Sequence, residues 1–127
     1  KESNIRKFLN FGHTLGHAIE AEAGYGSMTH GEAVAIGMLF ALQLSEEVYQ
    51  KPMPISPLYN WLDRNEYPLH IKQFNVEQLL LRMKRDKKAE NANVQMVLLE
   101  DIGQPKVHTI KDDWLLAQLK KFAKKVG

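Results

Sequence analysis

The sequence predicts a mainly α-helical fold with one small β-hairpin near residues 94–110. Three observations predict it. Apolar residues recur at helical spacing through most of the chain, and glycines and prolines cut that pattern into segments of helix length. β-Branched residues and leucines gather in one stretch that can turn back on itself. The 127 residues are 44% hydrophobic and 25% charged, enough for a core, so residues 1–127 read as a single domain.

Taken in order, Lys1 to Ala23 reads as one helix, stopped by Gly24 and Gly26 around Tyr25. Thr29-His30-Gly31-Glu32 has capping-box spacing and opens a second helix from His30 to about Gln50. Along it, Val34, Met38, Ala41, Leu42, Ser45 and Val48 form one stripe. Pro52, Pro54 and Pro57 make a connector, followed by shorter helices near Pro57 to Asn65 and Val76 to Lys84, with Tyr67-Pro68 between them. Asn91-Ala92-Asn93 is turn-like. Val94 to Glu100 is then expected to pair with Val107 to Ile110 across Gly103-Gln104-Pro105. A last helix from Asp112 to Val126 begins acidic and ends in lysines, as the helix dipole favours. Lys120, Lys121, Lys124 and Lys125 interleave with Leu119, Phe122 and Val126, which marks a solvated amphipathic face and not a binding patch.

Composition narrows the function. A net charge of +2 gives no strong pull toward nucleic acid or membrane. No apolar run approaches the roughly 20 residues that span a bilayer, and no signal peptide is visible. With no cysteine, any metal must sit on histidine, carboxylate or water, and the absence fits a cytoplasmic protein. A first residue of Lys1, with the small size, predicts a piece of a longer chain with a domain-sized segment upstream.

On a helical wheel, Glu2, Arg6, Asn10, His13, His17 and Glu20 fall within a sector about 80° wide. Polar stripes are usually the wet face of a surface helix. Such faces favour Lys and Glu, however, whereas Asn and His are mediocre helix formers. Gly12 and Gly16 lie beside the stripe, each costing about 1 kcal/mol against Ala, which is tolerated where another backbone or a ligand comes close. His13 and His17 stand at i, i+4, a spacing that lets two imidazoles hold one metal. The zincin pattern fails, because Thr14 stands where its Glu is required. The short Gly24-Tyr25-Gly26 turn brings His30 back toward His13 or His17, and Gly31, Ala33, Ala35 and Gly37 suit close helix contact. His70 and His108 have no such neighbours and read as ordinary histidines. Asp86-Lys87-Lys88 reads as a charged helix end, or as a lysine offered to an anionic substrate.

The run Arg6-Lys-Phe-Leu-Asn10-Phe-Gly-His13-Thr-Leu-Gly-His17-Ala-Ile-Glu20, with Gly24-Tyr-Gly26 and His30-Gly-Glu-Ala-Val-Ala-Ile-Gly-Met38, resembles the motif of 3-dehydroquinate synthases. Met83-Lys-Arg-Asp86-Lys87-Lys88 and Val97-Leu-Leu-Glu-Asp-Ile-Gly103 match it again, so about half the chain carries the resemblance, in the right order. The resemblance implies a multihelical C-terminal domain of that family, whose enzymes convert 3-deoxy-arabino-heptulosonate 7-phosphate to 3-dehydroquinate and phosphate in the shikimate pathway. They do so by NAD-dependent oxidation, phosphate elimination, reduction and aldol closure, with zinc or cobalt as a divalent metal.

Matched position by position, the resemblance implies that His13 and His30 are metal ligands, with a third ligand, a glutamate, upstream of this sequence. It implies that His17 serves proton transfer near the phosphate, a task suited to an imidazole. Arg6 and Asn10 become substrate contacts and catalytic-site residues, Lys88 or Lys87 binds substrate, and Glu2 contacts substrate or orients a neighbour. Ala89 and Asn91-Ala92-Asn93 depart from the Asn and Gly that commonly follow the Asp-Lys-Lys motif.

The implied partners are a phosphorylated sugar-acid substrate, an N-terminal NAD-binding domain of the same enzyme, and a second copy in a homodimer. No glycine-rich dinucleotide fingerprint occurs in this chain, so alone it is expected to be inactive and to bind no NAD. A face built to meet the other domain is expected to expose apolar area and to favour self-association.

Other readings remain at this point. A related sugar phosphate cyclase of the valiolone or inosose type shares the two metal histidines. A polyol dehydrogenase relative shares the fold and a His pair, and a non-catalytic helical module would use the stripe to bind a partner.

Overall fold

The structure, a computed structural model, describes residues 10–24, 27–71, 73–85 and 93–126. Glu2, Arg6, Tyr25, Gly26, Lys87 and Lys88 lie outside the described residues. The elements are α1 (His13–Ala23), α2 (His30–Tyr49), α3 (Ile55–Arg64), α4 (Val76–Arg85), β1 (Val94–Asp101), β2 (Gln104–Ile110) and α5 (Asp112–Val126). The expected mainly helical fold with one hairpin is what forms.

The single helix expected from Lys1 to Ala23 is corrected at its described end. Asn10, Phe11 and Gly12 form a turn, closed by the His13 N–H on the Asn10 carbonyl at 3.0 Å. Gly12 sits at φ 85°, a left-handed conformation that a helix interior does not contain and that favours glycine. α1 therefore starts at His13, and Asn10 is not on its wheel.

α2 starts as its motif predicts. The Thr29 hydroxyl accepts from the Glu32 N–H at 3.1 Å, while the Glu32 carboxylate accepts from the Thr29 N–H at 3.0 Å. The expected single stripe is too narrow. Ala41, Leu42 and Ser45 are buried, Val34 and Met38 are half-buried, and Val48 is exposed. Ala33, Ile36, Leu39, Phe40 and Leu44 are buried as well. α2 is the central helix, packed by α1, β1, α3 and α5, and a helix covered on several sides is apolar around much of its circumference.

Two polar anchors fix what surrounds it. The buried Ser45 hydroxyl donates to Ala41 O at 2.8 Å and accepts from the Leu99 N–H at 2.9 Å, tying α2 to the hairpin. The buried Gln43 amide donates to the Gln118 side chain at 2.8 Å and to its carbonyl at 3.1 Å, tying α2 to α5. Around these, Leu115, Leu119 and Phe122 of α5 join the core, with Phe122 against Phe40 at 5.2 Å between ring centres. Lys120, Lys121, Lys124 and Lys125 are exposed, as the interleaved pattern predicts.

α3 begins at Ile55, two residues before the expected Pro57, because a proline in the first turn lacks only an N–H that has no helical partner there. The hairpin runs antiparallel from Val94↔Ile110 to Asp101↔Gln104, with an irregularity between Leu99 and Asp101. Its turn is shorter than expected. Ile102 and Gly103 alone reverse the chain, Gly103 at φ 81°, so Gln104 and Pro105 belong to β2. β2 is an edge strand, where proline's missing N–H is tolerated. No helix among the described residues is long and apolar enough to cross a membrane.

Candidate functional site

The site grows from the crossing of α1 and α2. A β-carbon on Gly37 would fall on the Gly12 carbonyl oxygen and lie 2.9 Å from the Gly16 nitrogen. One on Gly16 would lie 3.0 Å from the Val34 Cα, and one on Gly12 would meet Met38 at 2.6 Å. The two backbones touch where these glycines stand, so the helix cost of Gly16 and Gly37 is offset by contact that no side chain permits. Of the small residues expected at this crossing, Gly31 is not part of it, having nothing within 4 Å of an added β-carbon.

Close backbones set the side chains beside them face to face. The His13 and His17 ring centres are 5.2 Å apart, His13 and His30 are 5.4 Å apart, and His17 and His30 are 5.8 Å apart. One potential ligand atom from each of the three lies within 4.8 Å of the others. On a tetrahedral zinc with Zn–N near 2.0–2.1 Å, two ligand nitrogens lie about 3.3 Å apart. The trio is thus close enough for modest side-chain rotation to close on an ion. Imidazole is a fitting donor for zinc or cobalt, so the residues present fit a divalent metal.

The environments of the three differ. His13 is half-buried, and burial lowers its pKa; the neighbouring His17 and His30 lower it further, while Glu20 opposes them. These causes favour the neutral imidazole, the form that ligates. His17 and His30 are exposed. The His30 Nδ1 lies 3.0 Å from the Glu20 Oε1, a bond between the first turn of α2 and the last turns of α1.

Beside the trio lies a cleft of about 340 Å³ between α1, α4 and the hairpin. Asn10, His13, Thr14 and His17 line one side, and Met83, Gln95, Met96, Val97 and Val107 line the other. The Thr14 hydroxyl reaches the Gln95 carbonyl at 3.5 Å, bridging the two walls. Of the residues expected in the site, Asn10, His13, His17 and His30 are therefore brought to one region. Arg6, Glu2, Lys87 and Lys88 lie outside the described residues.

Two features escaped the sequence reading. Gln95 and Val107 alternate to the cleft side of strands that looked purely structural, and nothing in their type signals it. Glu20 lay on the histidine stripe, but only the position of α2 shows what it reaches. His108 bonds the Tyr49 hydroxyl through Nε2 and His70 is exposed, so both are the ordinary histidines they looked to be.

Comparison with known proteins agrees with the geometry. Residues 1–89 match the family described as 3-dehydroquinate synthase C-terminal. The 3-dehydroquinate synthase of Geobacillus thermodenitrificans is 49% identical over 100% of this chain and 35% of its own length. That of Oceanobacillus iheyensis is 46% identical over 99% of this chain, again 35% of its length. The chain thus spans about a third of the curated relatives it matches.

Among solved structures, 2-deoxy-scyllo-inosose synthase in complex with carbaglucose-6-phosphate, NAD+ and Co2+ superposes with a TM-score of 0.68 at 25% identity, covering 91% of this chain and 34% of that one. The 2-epi-5-epi-valiolone synthase of Streptomyces hygroscopicus, with NAD+ and Zn2+ bound, gives 0.72 at 19% identity over 91% of this chain and 32% of that one. With its histidine run inside the matched residues and its helices in the same arrangement, this chain belongs to the 3-dehydroquinate synthase C-terminal family.

Proposed function

We propose that this chain is the metal- and substrate-holding part of a 3-dehydroquinate synthase, acting in the cytoplasm as part of a homodimer. The whole enzyme converts 3-deoxy-arabino-heptulosonate 7-phosphate to 3-dehydroquinate and phosphate by oxidation with NAD, phosphate elimination, reduction and aldol closure. The observation that carries the proposal is the convergence of His13, His17 and His30 beside one cleft. The cobalt and NAD+ in the related 2-deoxy-scyllo-inosose synthase support the cofactor set.

His13 and His30 hold the ion through neutral nitrogens, and a carboxylate from the rest of the enzyme completes the set. When bound, a divalent ion there supplies Lewis-acid stabilisation to a substrate oxygen. His17, which lines the cleft, moves a proton at the substrate's phosphate-bearing end. Asn10, at the turn before α1, offers an amide to substrate hydroxyls. Arg6 and one of Lys87 and Lys88 bind the anionic groups, and Glu2 contacts substrate or orients one of them. NAD is held by the N-terminal domain.

The test is activity of the whole enzyme on the heptulosonate phosphate, with sedoheptulose 7-phosphate as the comparison. Turnover of the first alone, and its loss by at least about 100-fold in His13→Ala, is expected, since even partners of metal ligands are worth 10–100-fold. Turnover of sedoheptulose 7-phosphate instead moves the chain among the other cyclases. Unchanged activity in His13→Ala overturns the reading.

A further inference from the structure

We infer that Glu20 is the positioning residue of this centre, holding His30 by Nδ1 so that Nε2 is the nitrogen offered to the metal. The inference rests on the metal reading above and concerns a residue to which that reading assigns nothing.

Three observations carry it. The Glu20 Oε1 lies 3.0 Å from the His30 Nδ1, within hydrogen-bond range of a ring N–H donating to a carboxylate. Glu20 comes from α1, one turn beyond His17, while His30 opens α2, so the bond spans the two helices that supply the trio. Finally, His30 is the open member of the pair. Its side chain is 54% exposed, and it stands at the first position of a helix. Glu20 is 26% exposed, the better anchored of the two.

A neutral imidazole carries one proton. With that proton on Nδ1 and directed at a carboxylate, Nε2 presents its lone pair and the ring plane is fixed. Glu20 thus has a role distinct from that of a ligand. One oxygen is engaged by His30, and the ligating carboxylate expected for this family lies upstream of this sequence.

Three variants and two readouts test the assignment. In the metal-free chain, the ring-nitrogen chemical shifts of His30 are expected to report the Nδ1–H tautomer, and Glu20→Ala is expected to move the population toward Nε2–H. In cobalt titrations, Glu20→Ala is expected to weaken binding by 10- to 100-fold, and Glu20→Gln, which keeps an acceptor oxygen, by less. The helical circular dichroism of each variant shows that the fold is retained. An unchanged His30 tautomer in Glu20→Ala, or unchanged cobalt affinity, overturns the positioning role. His30→Ala separates the two levels. If it leaves cobalt affinity intact, the metal reading itself fails, while the tautomer measurement still decides whether Glu20 orients His30.

Discussion

At the scale of single residues, the histidines divide by what surrounds them. His13, His17 and His30 face one another, whereas His108 is taken up by the Tyr49 hydroxyl, with ring centres 5.3 Å apart. Tyr49 predicts a pH effect away from the histidine trio. Burial raises the Tyr49 pKa above its ordinary value near 10, and Glu100 adds to the rise. Above that pH the folded protein holds a proton that the unfolded chain has lost, so stability is full below about 10 and falls as pH rises through the folded pKa. Thermal unfolding between about pH 9 and 11 is expected to show this loss, and Tyr49→Phe to flatten it. An equal slope in both proteins would remove Tyr49 as its source. At this scale the sequence was legible in residue type. His13, His17 and His30 stood out because imidazoles are rare on solvated helices, and Glu20 did not because acids are common there.

At the scale of elements, the α1–α2 crossing sets the geometry. Gly37→Ala places a methyl group on the Gly12 carbonyl, and helix against helix leaves little room to yield. A loss of about 3 kcal/mol in urea unfolding is expected, at the upper end for overpacking, together with weaker cobalt binding as His13 and His30 separate. Wild-type stability in Gly37→Ala would mean that the helices do not approach as described. Thr29→Ala removes the cap that starts α2 beneath His30 and is expected to cost about 1 kcal/mol. A smaller change than a few tenths would show that the capping box is not formed in solution. Helix ends carrying local chemistry, such as Thr29 with Glu32 and Gly24, were readable. The turn at Asn10–Gly12 was not, because Gly12 with its left-handed φ packs against Met38 of α2, a contact distant in sequence. The early start of β2 was hidden for a similar reason, since a proline on an edge strand looks the same in sequence as one in a turn.

At the scale of the molecule, α2 organises everything else, and its inventory of Ala33, Ile36, Leu39, Phe40 and Leu44 reads as buried on many sides only once α1, α3, α5 and the hairpin are placed. Phe40→Ala, deep in that core and against Phe122, is expected to cost about 3–5 kcal/mol. The cleft opens between α1, α4 and the hairpin, and the chain spans about a third of the length of its curated relatives. All of this converges on whether an ion sits among the imidazoles. Anomalous diffraction at the zinc edge, from crystals of this chain grown with zinc, reads that directly. A peak about 2.0–2.1 Å from one nitrogen of His13 and one of His30 is the expected result. No peak at the trio, or an ion there that touches neither His13 nor His30, would contradict it.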